Sequence, residues 1–183
     1  MAIVIKKESL LFILIILYAA NYIFKTFIKK ENNNGVIHNV KILFAIAYFW
    51  ALVSCTLFPI LIPPMGINNA YINLNVLKIF EYKEMGILLK NVIGNVILFV
   101  PFAFVLYLIS GRILRRVQMF CVSIFLSVFI EFLQYIENIT GLANFTSRAT
   151  DIDDIILNVV GAMLGYGLCV IYKKQQIAYN KEK

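Results

Sequence analysis

Apolar residues fall into five long runs, Ser9–Phe27, Val40–Ile62, Leu88–Ser110, Val117–Ile136 and Ile155–Tyr172. A helix needs about 20 apolar residues to cross the hydrocarbon core of a bilayer. Each run is long enough, with the last the tightest fit. The runs are continuously apolar and do not alternate, which argues against lipid-facing strands. Backbone groups in lipid must be bonded within their own segment, which leaves helices. The pattern predicts an all-α polytopic transmembrane bundle of about five spans, forming a single membrane domain over residues 1–183. Between the second and third spans, Pro63, Pro64 and Gly66 stop the helix. The apolar middle of that connection, Ile72 to Phe80, reads as a short interfacial helix or a re-entrant piece.

Composition agrees with the pattern. Of 183 residues, 61% are hydrophobic and 15% charged, against roughly 45–50% and 25% in an average soluble domain. A soluble enzyme, a disordered chain and a disulfide scaffold are excluded on these figures. Cys55, Cys121 and Cys169 all lie inside apolar runs and read as small hydrophobes. The net charge of +7 does not point to nucleic acid, because basic residues in a membrane protein report topology first. Eleven of the 17 Lys and Arg residues fall in the first connection, the third connection and the tail. Those segments share one side, which the positive-inside rule makes cytoplasmic. The N-terminus is then outside and the C-terminus inside. Lys6 and Lys7 run against this assignment. A signal peptide would explain them, but the apolar run continues through Phe27, and Ala19-Ala20 lacks the expected cleavage form.

The polar residues inside the spans change the picture most. Asn91 and Asn95, four apart, share a face of the third span. Glu131 and Gln134 share a face of the fourth. Asp151, Asp154 and Asn158 open the fifth, with Gly161 and Gly165 continuing the same stripe and Arg148 one turn before it. By topology all lie at the outer end. Ionisable groups within spans are rare and usually functional. The spacing predicts an outer polar pocket. Glu131, Asp151 and Asp154 are candidates for acid–base work or for holding a divalent cation. Arg148 has the planar fork that grips phosphate or carboxylate. Asn95, Gln134 and Asn158 are candidate hydrogen-bonding residues for a substrate.

Structural readings stand beside these. Asp151 or Asp153 can cap the fifth helix, and Asp153 can be a solvated loop acid. Arg148 with Glu131 can be a structural ion pair. Gly161 and Gly165 can serve close helix packing. Pro101 is expected to kink the third span. His38, the single histidine, is placed in an inner loop, which leaves no histidine for a zinc site or a Ser-His-Asp triad at the outer pocket.

Three segments together resemble the VanZ-like family of small bacterial membrane proteins. Arg148-Ala-Thr-Asp151-Ile-Asp153-Asp154, followed by Asn158, Gly161 and Gly165-Tyr166, is similar to that family's Arg-x-x-Asp-x-Asp-Asp…Asn…Gly…Gly-Tyr signature. Ser127 to Gln134 is similar to its Ser…Glu-x-x-Gln motif, and Asn95 to Phe102 to its Asn…Phe-x-Pro motif. The resemblance covers residues 72–172; the first two spans match only in being apolar. The chain departs from the pattern at Ala103, at Val159, and at Asn73-Leu-Asn75, where the usual proline is missing.

The resemblance implies a multi-pass protein of the bacterial cell membrane. The family is named for a member linked to glycopeptide resistance, to teicoplanin in particular. One view of related proteins treats them as enzymes of lipid or polyprenol head groups. The expected partners are therefore membrane lipids or a lipid-linked cell-wall precursor. Two functions stay open: a head-group transferase or hydrolase, and a non-catalytic protein that binds lipid or antibiotic or scaffolds a partner. A transporter fits less well, since no polar track reaches the inner face.

Overall fold

The computed structural model describes residues 3–23, 36–62, 72–76, 85–142 and 150–181. The helices are α1 (Lys7–Ile23), α2 (Val36–Leu57), α3 (Met85–Phe99), α4 (Phe102–Ser110), α5 (Arg116–Thr140) and α6 (Ile152–Lys181). Four short strands accompany them: β1 (Ile3–Ile5), β2 (Ile60–Ile62), β3 (Ile72–Asn73) and β4 (Thr150–Asp151). The all-α membrane bundle holds. Among the described residues, four segments are long and apolar enough to cross a bilayer: His38–Leu57, Leu88–Ser110, Arg116–Thr140 and Ile152–Lys181. The first predicted run lies in α1 as far as Ile23, and its last residues, 24–27, lie outside the described residues.

Several boundaries move for physical reasons. The second helix stops at Leu57 rather than at Pro63–Pro64. Pro59 lacks an N–H and disfavours helical geometry at the residue before it. The helix also begins earlier, so His38 lies in its first turn and not in a loop. The third span is two helices, interrupted at Val100–Pro101, as the proline predicts. The chain stays close to helical across the break: Val100 N–H donates to Val96 C=O at 3.1 Å and Val105 N–H to Pro101 C=O at 3.0 Å. Two-stranded sheets close the same end of the bundle. β1 runs antiparallel to β2, and β3 runs parallel to β4. Of the connection 63–87, only Ile72–Val76 and the start of α3 are described, and they form a strand and the turn after it.

α6 is the central element, packed against α3, α4 and α5. Its Gly161 and Gly165 lie against backbone: a methyl group on Gly161 would fall on the Val96 carbonyl, and one on Gly165 on the Val100 carbonyl. The small pair therefore lets α3 and α6 approach main chain to main chain. The core beside this contact gathers Tyr48 and Leu52 of α2, Phe99, Phe102 and Val105, Met119 and Ile130 of α5, and Ala162 and Cys169 of α6. The other faces of these helices carry exposed apolar residues such as Phe125, Phe129, Leu164 and Leu168, as lipid requires.

Candidate functional site

The start of α1, the end of α2, the middle and end of α3, the second half of α5 and the start of α6 meet around one cavity of about 690 Å³. Its lining includes Glu131, Asp151 and Asp154, with Asn91, Asn95, Gln134 and Asn158. Seven of the eight polar residues singled out from spacing therefore share one space; the eighth, Arg148, lies outside the described residues.

Each carboxylate is held by donors. Asp151 is the cap of α6: its Oδ1 accepts the Asp153 N–H at 3.0 Å, the bond that satisfies a free donor of the first turn. Asn73 Nδ2 donates to both Asp151 carboxylate oxygens, 3.0 Å each, while Asn73 Oδ1 accepts the Asn75 N–H at 3.2 Å. The Asn73-Leu-Asn75 turn thus fastens the β3 connection to α6 without the proline that the family pattern has there. Glu131 is 3% exposed, and its Oε2 accepts the Asp151 N–H at 3.0 Å. Asn95 Nδ2 donates to Asp154 Oδ1, joining α3 to α6 about two turns of α6 from the Gly161 contact. Asp153 is not a solvated loop acid; it is buried.

The three amides are tied as well. Gln134 Nε2 donates to the Thr56 carbonyl of α2 at 2.9 Å. Asn158 Nδ2 donates to Ser127 Oγ of α5 at 2.9 Å. The network therefore binds α2, α3, α5 and α6 together around the cavity. No group of three His, Cys, Asp or Glu residues among the described residues is disposed to hold a metal ion, so Glu131, Asp151 and Asp154 are not drawn together as a ligand set.

Spacing missed several lining residues. Lys7 and Lys90 line the cavity, as do Ser54, Cys55 and Thr56 of α2. A signal for them existed. Lys7 was one of the cations out of place under the positive-inside rule, and Ser54 and Thr56 are polar positions at one end of an otherwise apolar span.

The sequence profile of the VanZ/LLP1 family matches residues 9–173. The chain belongs to the VanZ/LLP1 family. The match takes in α2, α3, α4 and α5 entirely and most of α6, and so reaches well beyond the 72–172 stretch in which the motifs lie. A curated relative, Protein VanZ of Enterococcus faecium, is 32% identical in an alignment 106 residues long that covers 51% of this VanZ/LLP1 chain. The alignment spans 60% of the length of that relative. No solved structure matches.

Proposed function

We propose that this VanZ/LLP1 chain is a cell-membrane protein of glycopeptide resistance or envelope modification, and that its polar cavity, open to the outer leaflet, acts on a lipid or lipid-linked head group. The observation that carries this reading is the meeting of Glu131, Asp151 and Asp154 with Lys7 and Lys90 in a single cavity within an apolar bundle. Charge is expensive inside a membrane protein and marks functional sites. In this reading Arg148 contributes to holding the phosphate. Asp154, on the cavity wall, moves the proton during transfer or hydrolysis at the head group. Glu131 and Asp151 hold the wall in place, and Asn95, Gln134 and Asn158 set its polar lining.

A second reading is favoured by one specific observation: Asp151 caps α6 while its own N–H bonds Glu131. Such a pair can serve as a lock in a protein that binds lipid or antibiotic without chemistry. The two readings part on two variants. Teicoplanin susceptibility of a sensitive Gram-positive host is compared for empty vector, wild type, Asp154→Asn and Glu131→Asp at matched membrane levels. The head-group reading expects wild type to protect and Asp154→Asn not to. Full protection by Asp154→Asn counts against it, and protection by both variants favours the lock.

A further inference from the structure

The acids and the cations of the cavity differ in how their hydrogen-bonding capacity is used. Asp151 accepts from Asn73 and Asp153, Glu131 from Asp151, and Asp154 from Asn95. Lys7 and Lys90 line the same cavity, yet neither ammonium has an ion pair or hydrogen bond among the described residues. An ammonium carries three donors and no acceptor, so both bring unused donors to the site.

Their placement is not loose. Lys7 is the first residue of α1, and its carbonyl accepts the Trp50 Nε1–H at 3.1 Å, which ties that end of α1 to α2. Lys90 precedes Asn91 on α3, the helix that also carries Asn95. Both lysines are exposed, whereas Glu131, Gln134 and Asn158 are buried. The cations therefore stand at the rim, with the amides and Glu131 in the wall. That wall has unused capacity of its own. Ser54 Oγ and Asn158 Oδ1 are buried without a partner, and both residues line the cavity. Buried polar atoms are nearly always bonded, so a wall that leaves a hydroxyl and an amide oxygen unmet is suited to a polar occupant. Topology gives no reason for cations at this end, since the remaining basic residues concentrate at the other.

We infer that Lys7 and Lys90 form a phosphate seat at the rim of the cavity, selecting a phosphate-bearing molecule whose hydroxyl or amine donors reach the wall at Asn158. The inference rests on the head-group reading and deepens it by naming the ligand chemistry and the residues that choose it. The phosphate can belong to a lipid head group or be free in solution.

Binding is measured on the full chain in detergent by native mass spectrometry. The probes are short-chain phosphatidylglycerol, short-chain phosphatidylcholine and inorganic phosphate. Wild type is expected to bind phosphatidylglycerol, more weakly as salt rises, because the rim charges are solvent-exposed. Lys7→Met and Lys90→Met should each bind about tenfold more weakly, the loss of one charge-assisted hydrogen bond. Lys7→Arg and Lys90→Arg should keep binding, as should Lys174→Met at the other end of α6. Methionine variants that fold and bind like wild type overturn the seat and leave the head-group reading standing. A salt-independent wild-type affinity overturns the seat even where a variant fails to fold. Phosphatidylcholine bound as tightly as phosphatidylglycerol overturns the donor half of the inference. Binding of inorganic phosphate that phosphatidylglycerol does not displace keeps the seat and removes the lipid. No binding of any probe removes both.

Discussion

Asp151 ties three segments of the site together. Its carboxylate caps α6 and receives the Asn73 amide from the connection between α2 and α3, and its backbone N–H reaches Glu131. Asp151→Ala removes the cap, at a cost of about 0.5–2 kcal/mol. It also leaves the buried Asn73 amide without its acceptor, about 1–3 kcal/mol more. Asp151→Asn keeps a capping oxygen and is expected to cost less. Thermal unfolding in detergent should rank the three as wild type, Asp151→Asn, Asp151→Ala; an unshifted Asp151→Ala would show that the network is not what holds the loop. The positions of these acids were legible because the helical repeat of three and four places Asp151, Asp154 and Asn158 on one stripe. Their division of labour was not. Whether an acid caps a helix, braces a loop or lines a cavity depends on partners such as Asn73, 78 residues away from Asp151. Lys7 and Lys90 escaped for a related reason: a lysine at the mouth of a cavity and a lysine in water look alike until the wall behind them is known.

At the scale of elements, the contact that positions the site is the crossing of α3 and α6. Gly161 and Gly165 meet the carbonyls of Val96 and Val100, and on the same two helices Asn95 reaches Asp154. Gly165→Ala forces these backbones apart, and overpacking of this kind costs about 1–3 kcal/mol. The displacement should also weaken teicoplanin protection, because Asn95 and Asp154 separate with it. Gly167, with open space around its Cβ position, is the control, and Gly167→Ala is expected to leave the unfolding midpoint unchanged or to raise it, since alanine favours a helix over glycine. Equal midpoints for Gly165→Ala and Gly167→Ala would contradict the close approach. Periodicity located these helices because lipid demands long apolar runs. It could not locate the short strands. β1 to β4 span only two or three residues each, too few to show alternation, and their pairings join segments distant in sequence. α2 ends before Pro59 and not at Pro63–Pro64, because the first proline already restricts the residue before it, although the apolar run continues past it to Ile62.

The whole molecule is an apolar bundle with its polar chemistry gathered at one end. Four described segments can cross a bilayer. The longest helix among the described residues, α6, has 30 residues, about 45 Å at the helical rise, which exceeds a hydrocarbon core of about 30 Å. Its surplus is the mostly exposed stretch after Tyr172, where Lys173 lies over the Tyr107 ring at 5.6 Å. That cationic end is opposite the cavity, and the orientation proposed from the positive-inside rule puts the cavity outside. The central claim, a polar cavity that opens to the exterior, can be tested through Cys55, which is exposed and lines it. A chain carrying Cys121→Ser and Cys169→Ala leaves Cys55 as its single thiol. Intact cells are treated with a membrane-impermeant thiol reagent, and labelling is compared with that after permeabilisation. The account predicts labelling of Cys55 in intact cells, reduced by short-chain phosphatidylglycerol. Labelling that requires permeabilisation, or none until the chain is unfolded, would contradict it.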